Sequence, residues 1–220
     1  MTYLDAQFGR LIEALEKSNQ LENTLIIFTG DSGLAVGQHG LLGKQNLYDD
    51  AGVHVPLILA GPGVPQNQRR SALGTTCDIF PTLCDLTGIT TPTSIDGQSM
   101  MPLLLDSGVQ TRECIYLAYR EYQRAVVEPR YKLVEYVQAT KTVKGQTQTA
   151  GTRFTQLFDL QQDPWETTNL AHDPVYISTR QRLQLKLLKL RQEHDDGTAH
   201  GKILCPEMHE LYKLFWDNYK

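Results

Sequence analysis

The stretch Thr24–Gly63, TLIIFTGDSGLAVGQHGLLGKQNLYDDAGVHVPLILAGPG, holds two short apolar runs with a glycine-rich loop between them. Leu25-Ile26-Ile27-Phe28 lacks alternation, and so does Val55-Pro56-Leu57-Ile58-Leu59-Ala60. Runs of that kind suit strands buried on both faces, as in a parallel sheet. Pro56 sits at the start of its run, where a strand tolerates a missing N–H. The loop carries Gly30, Gly33, Gly37, Gly40 and Gly43. Strand, loop, strand is the pattern of an open α/β sheet, which binds ligands at the carboxyl ends of its strands. Asp31, three residues past Phe28, stands at such an end. A carboxylate there offers an oxygen ligand to Ca²⁺ or Mg²⁺. Lys44, in a glycine-flanked segment, offers a compact positive charge to a sulfate or phosphate oxygen. Alone, Asp-Ser-Gly after a strand more often marks a turn.

Outward from this stretch, Leu4, Phe8, Leu11, Ile12 and Leu15 recur at helical spacing, so residues 4–18 read as an amphipathic helix with Asn19 as its C-cap. A second helix runs over 77–87 and stops at Gly88. Residues 89–112 read as connecting loop with one short turn at Met101–Leu105. After Arg112 the pattern changes to short runs rich in Tyr, Val and Phe: Ile115–Tyr119, Tyr122–Val127, Tyr131–Val137 and Phe154–Asp159. They predict a small antiparallel sheet, with Gln138–Gly151 as a long polar hairpin loop. A helix over Tyr176–His194 follows, with Ile177, Leu183, Leu187 and Leu190 as its apolar face. The aromatic tail Ile203–Lys220 is expected to pack back onto the body.

The 220 residues allow one large domain or two small ones, and 40% apolar content is enough for a core. A formal net charge of −4 argues against a nucleic-acid or anionic-membrane surface. No run reaches the ~18 apolar residues of a membrane span, and the N-terminus lacks a signal-peptide layout. Cys77, Cys84, Cys114 and Cys205 match no zinc spacing. Cys77 and Cys84, two turns apart, read as buried thiols on one helix face.

The stretch as a whole is more specific than its parts. Thr29-Gly30-Asp31-Ser32-Gly33, Gly37-Gln38-His39-Gly40, Gly43-Lys44, Tyr48-Asp49, Val55-Pro56-Leu57-Ile58 and Gly61-Pro62-Gly63 follow one another as in the second metal-and-sulfate segment of the sulfatase family. The resemblance extends to Asp5–Leu11, Asp78-Ile79-Phe80-Pro81-Thr82-Leu83, Asp96-Gly97-Gln98-Ser99, Arg130-Tyr131-Lys132-Leu133, and Leu157-Phe158-Asp159-Leu160 with Asp163-Pro164, Glu166 and Asn169-Leu170. The chain thus resembles the C-terminal part of a formylglycine-dependent sulfatase of the alkaline phosphatase superfamily.

That resemblance implies the C-terminal part of an α/β sandwich, a mostly parallel sheet with helices on both faces, over residues 1–112. A small antiparallel sheet and a packed helix would form residues 113–220. It implies that Asp31 is a metal ligand, normally for Ca²⁺, with Ser32 in the place of a neighbouring Asn or His ligand. Lys44 would contact the sulfate ester. His39 would either line the site or hold the loop, and His54 would be structural or at the rim. The substrate would be a sulfated small molecule or glycan, and the family suggests an exported or periplasmic protein. The nucleophile motif, Cys/Ser-x-Pro/Ala-x-Arg, occurs nowhere in these residues, so the chain by itself is expected to be inactive. Without the rest of the fold it is expected to self-associate or to pair with the N-terminal half. A phosphomonoester or phosphonate hydrolase shares the scaffold. A non-catalytic binding module is the reading from another class.

Overall fold

A computed structural model describes residues 2–44, 46–120, 123–138, 141–143, 146–149, 152–194 and 196. The helices are α1 (Thr2–Lys17), α2 (Ile79–Thr87), α3 (Met101–Leu105) and α4 (Ile177–Glu193). The strands are β1 (Ile26–Thr29), β2 (Ala35–Val36), β3 (Leu42–Gly43), β4 (Leu57–Ala60), β5 (Ile115–Tyr119), β6 (Gln123–Val127), β7 (Tyr131–Gln138), β8 (Lys141–Val143), β9 (Gln146–Thr149) and β10 (Thr152–Asp159). They fall into two compact units, Met1–Asp31 with Val55–Arg112 and Ser32–His54 with Glu113–Lys220. The segment Ser32–His54, assigned from the sequence to residues 1–112, sits with the second unit because Tyr48 and Asp49 are bonded to β7, β10 and Glu166.

In the first unit, α1 ends where Asn19 takes a left-handed φ of 53°. The Gln20 N–H then donates to the Leu15 carbonyl at 2.9 Å, closing the helix end. β1 and β4 pair antiparallel, Ile26 opposite Ala60 and Thr29 opposite Leu57. This corrects the expectation of parallel strands buried on both faces: Leu57, Ile58 and Ala60 are exposed. A short apolar run carries no signature of strand direction, and mixed sheets commonly bear an antiparallel edge. Every strand pair among the described residues is antiparallel.

The helix expected at 77–87 begins as a 3-10 turn, Thr76–Asp78, that leads into α2. That turn breaks the helical phase, so Cys77 is exposed while Cys84 is buried; Cys114 is half-buried. The thiols are therefore not one buried face, and Cys205 lies outside the described residues. Gly88, at φ 72°, caps α2.

The second unit is built on a four-stranded antiparallel sheet of order β10-β7-β6-β5. Side chains alternate across it. Val126, Leu133 and Leu157 point to one face and are covered by Leu183 and Leu187 of α4, all five fully buried. Ala125, Val134 and Phe158 point to the other and are covered by Leu47, Tyr48 and Val53. The apolar stripe of α4 is narrower than expected. Ile177 is exposed, and Arg191 takes the buried position one turn after Leu187. Arg191 reaches Asp196, which supplies the charge that a buried guanidinium needs. The segment read as a polar loop, Gln138–Gly151, contains the short pair β8–β9. Its β-branched Thr142, Val143, Thr147 and Thr149 favour strand over coil. The tail Ile203–Lys220 lies outside the described residues. Among those described, no helix is long and apolar enough to cross a membrane.

Candidate functional site

The residues between Thr29 and His54 form a chain of tight turns rather than a wandering loop. After β1, Asp31 is exposed and Ser32 half-buried. The Gly33 N–H donates to the Gly52 carbonyl at 2.8 Å, tying the start of the segment to its end. β2 and β3 then form a small hairpin, Ala35 opposite Gly43 and Val36 opposite Leu42. The Gly37 N–H donates to the Leu41 carbonyl across its mouth at 2.9 Å. The tip needs left-handed backbone at Gly37, His39 and Gly40, with φ of 122°, 53° and 70°. Glycine adopts this without strain; His39 does so at a cost.

What offsets that cost at His39 is its ring, which lies flat on Tyr48 with centroids 3.7 Å apart and planes within 5°. Tyr48 is itself fixed. Gln156 Nε2 donates to its hydroxyl at 2.9 Å, and Asn46 Oδ1 accepts its backbone N–H at 3.0 Å. Gly52 packs so closely on Asn46 that an added Cβ would stand 2.3 Å from Oδ1. Only glycine fits there.

Next to Tyr48, Asp49 Oδ1 accepts from Lys132 Nζ at 2.6 Å. Lys132 also lies 2.8 Å from Glu166 Oε1, and Glu166 Oε2 accepts the Asp49 N–H. Lys132 and Glu166 have fully buried side chains. Burial pushes the Glu166 carboxyl above its ordinary range, and the Lys132 charge only partly opposes this. Glu166 holds a left-handed φ of 54° to make the bond. This clamp fastens the Tyr48-Asp49 turn to the sheet, and through the His39–Tyr48 stack it fastens the hairpin tip.

Lys44 is thereby presented at the end of β3, exposed, one residue beyond Gly43. Ser32, His39 and Lys44 are carried by one unit, on the same clamped segment; Asp31 is the last residue of the first unit. No group of three or more His, Cys, Asp and Glu side chains that could hold a metal occurs among the described residues. Asp31 and Ser32 offer one carboxylate and one hydroxyl. That falls short of the roughly six to eight oxygens Ca²⁺ takes, so the donors present do not by themselves fit the ion.

Beneath the hairpin tip lies a cavity of about 250 Å³ between His39 and Tyr48 above and Gln123, Tyr136, Phe154 and Gln156 below. Gln123, Tyr136 and Phe154 form one cross-strand row of β6, β7 and β10. Burial pushes the Tyr136 hydroxyl pKa well up, and Tyr48 beside it adds to the shift. Sequence reasoning missed this row, because pairing register is set in three dimensions. It also gave no role to Lys132 and Glu166. The available signal was a Lys on the inward-facing side of an apolar strand, which requires a buried counter-charge.

The matches with known proteins agree with this arrangement. Residues 37–193 match the family model described as N-sulphoglucosamine sulphohydrolase, C-terminal. The chain is 32% identical over 178 residues to arylsulfatase K of Canis lupus familiaris, covering 76% of this chain and 31% of that protein. A solved structure of an enzyme in complex with its substrate D-glucosamine-2-N,6-O-disulfate superposes with a TM-score of 0.75 at 26% identity, covering 90% of this chain and 40% of that one. The phosphonate monoester hydrolase of Agrobacterium radiobacter superposes with a TM-score of 0.67 at 29% identity, covering 86% and 39%. The fold is the alkaline-phosphatase-like one that the resemblance implied. The chain spans less than half the length of each of these proteins.

Proposed function

The chain belongs to the sulfatase family, as part of its C-terminal region, and from this membership we propose that it supplies the Lys44 side of a sulfate-ester site in a sulfuric ester hydrolase. The observation that carries the reading is the clamped hairpin. His39 stacked on Tyr48, and Asp49 bonded to Lys132, hold Lys44 exposed at a fixed place. An ammonium carried on a clamped segment suits a sulfate oxygen, because much of its positioning is settled before the ligand arrives. As the ester is cleaved, charge grows on the sulfuryl oxygens and the leaving oxygen, and Lys44 offsets the former. His39 is the structural member of the pair, holding the tip in its left-handed turn. Asp31 is proposed as one donor to a divalent cation that needs further ligands. Formylglycine, where the whole enzyme carries it, supplies the nucleophile; its motif is absent from these residues.

The test is binding rather than turnover. With inorganic sulfate titrated into the purified chain, amide shifts are expected around Gly43 and Lys44 and are expected to vanish in Lys44→Ala. Hydrolysis of a chromogenic sulfate ester by this chain is expected to be undetectable, and Ca²⁺ affinity weaker than micromolar by calorimetry. Unchanged sulfate binding in Lys44→Ala would overturn the assignment. A phosphate preference over sulfate in the same titration would favour the phosphonate-hydrolase reading.

We further propose that the chain self-associates. The face of α1 against β1 opens a groove of about 410 Å³ lined by Phe8, Leu11, Ile12, Leu15, Leu25 and Ile26. No residue of α1 is buried. Contiguous apolar surface of this kind is seldom left wet. Light scattering is expected to show a mass above the 220-residue monomer, reduced by Leu11→Lys. A monomer that binds no hydrophobic dye would refute it.

A further inference from the structure

We propose that the hairpin tip, residues 37–41, is a two-state gate whose closed state, with His39 stacked on Tyr48, is the one that presents Lys44 to an oxyanion. The gate's link to Lys44 rests on the sulfate-site reading; the gate itself rests on how the tip is held. The hairpin meets the rest of its unit at its base and at its tip. At the base, Ala35 is 1% exposed and the Gly33 N–H donates to the Gly52 carbonyl. Beyond it, residues 36–40 and Leu42 are exposed. β2 and β3 have two residues each and share two residue pairs. A two-stranded ribbon that short does not hold itself in place. At the tip, the His39 ring lies on Tyr48 at 3.7 Å and Leu41 is half-buried.

The two sides of the stack differ in stiffness. Tyr48 is on the clamped side. Gln156 Nε2 donates to its hydroxyl at 2.9 Å, Asn46 Oδ1 accepts its N–H at 3.0 Å, and the Phe158 ring stands 6.0 Å away. His39 is on an exposed turn with a left-handed φ of 53°. For a residue with a Cβ, that conformation costs a free energy of the same order as a stacked ring pair returns. Two opposed terms of similar size leave the stacked and unstacked tips close in free energy, with the minor state at roughly 1–10%. Gly37 and Gly40, at φ 122° and 70°, flank this turn, and an added Cβ at either would meet nothing within 4 Å. Glycine stands there for backbone freedom rather than for space, which makes the two positions the hinges. Movement of the tip reaches Lys44 by a short path. Val36 faces Leu42, Ala35 faces Gly43, and Lys44 is the next residue. An unstacked tip loosens that end of β3 and spreads Lys44 over more positions. An oxyanion therefore binds the closed state better and draws the population toward it.

Relaxation dispersion on the purified chain without ligand is expected to show microsecond-to-millisecond exchange at the amides of Gly37, His39 and Gly40. None is expected at Gly33, whose N–H is tied to Gly52. Inorganic sulfate is expected to reduce the exchange; in Lys44→Ala the exchange persists and sulfate no longer changes it. Three substitutions separate the stack from the strain. His39→Phe keeps a ring for Tyr48 and is expected to bind sulfate near the native level. His39→Gly loses stack and strain together, whereas His39→Ala loses the stack and keeps the strain. Sulfate affinity is therefore expected to fall modestly in His39→Gly and about tenfold in His39→Ala. A merely flexible tip gives the reverse order, because glycine loosens a loop more than alanine does. Flat dispersion at Gly37 and Gly40 in the native chain overturns the proposal. So does a His39→Ala variant that binds sulfate as well as His39→Gly, or a His39→Phe variant as weak as His39→Ala. Exchange at the tip with no response to sulfate supports the gate and refutes the Lys44 reading, so the two fail separately.

Discussion

Lys132→Ala is expected to lower the unfolding free energy by about 3–5 kcal/mol, because it strands two carboxylates where one cation held them. Lys132 and Glu166 have no exposed side-chain surface, and Asp49 has 20%. The loss is a penalty for breaking the cluster, not the worth of the cluster. Replacing all three together, as Lys132→Met, Asp49→Asn and Glu166→Gln, is therefore expected to recover most of the stability. The effect also has a pH signature. Burial already raises the Glu166 carboxyl above its ordinary range, and without Lys132 it rises further. A carboxyl whose folded pKa is raised favours folding below its unfolded pKa and loses that advantage as pH rises through the folded value. The variant should thus be least impaired near pH 4 and most impaired above neutrality. Urea denaturation at both pH values checks this; a loss under about 1 kcal/mol at neutral pH would mean that the clamp is not what holds Tyr48-Asp49 to the sheet.

Asp78→Ala is expected to cost the first unit about 3–5 kcal/mol, from a lost cap and buried donors left unmade. The carboxylate accepts N–H bonds from Thr75 and Gln98, both at 2.8 Å, and the Arg112 guanidinium sits on both its oxygens. One side chain therefore closes the capping box of the 3-10 turn that leads into α2, fixes the turn at Gln98 and anchors Arg112 at the end of the unit. Gly97 makes this possible, since a Cβ there would stand 2.1 Å from the Cys77 carbonyl. Burial alone would raise the Asp78 carboxyl, but Arg112 and the two N–H groups outweigh it and hold it below its ordinary range. For a depressed carboxyl the stabilisation is present above the unfolded pKa and is lost as pH falls through the folded one. The native chain should lose stability below about pH 4, near the ordinary carboxyl pKa, and Asp78→Ala should lose less over the same window. Thermal melts across that window, with Asp78→Asn as the milder variant, distinguish the cap from general acid unfolding. Equal acid sensitivity in native chain and variant would remove Asp78 as the cause.

Both predictions concern residues that the sequence reading quoted only as matching motifs. Asp78-Ile79-Phe80-Pro81-Thr82-Leu83 matched a family motif inside the helix expected over 77–87, yet nothing local tied Asp78 to Arg112, 34 residues on. Tyr48-Asp49, Arg130-Tyr131-Lys132-Leu133 and Glu166 stood as three separate matches. The structure makes them one object, because Lys132 needs a buried counter-charge and both Asp49 and Glu166 supply it.

What the sequence determined by itself was whatever depends on neighbours along the chain. The period of α1, the strands β5, β7 and β10, the stop at Gly88, and the order of motifs from Thr29 to Gly63 are local patterns of side chain and backbone. Those patterns sufficed to identify the family and to single out Asp31, Ser32, His39 and Lys44 as candidates. What only the tertiary structure decided depends on pairing. Strand direction was one such case: β1 and β4 run antiparallel because hydrogen-bond partners, not apolar content, set it. The exposure of Cys77 was another, fixed by a 3-10 turn that shifts the helix phase. The cavity was the third. Gln123, Tyr136 and Phe154 lie up to 31 positions apart in sequence (154 − 123) and meet only because two registers align them in one row. A one-residue slip in either register would turn that row to the opposite face of the sheet.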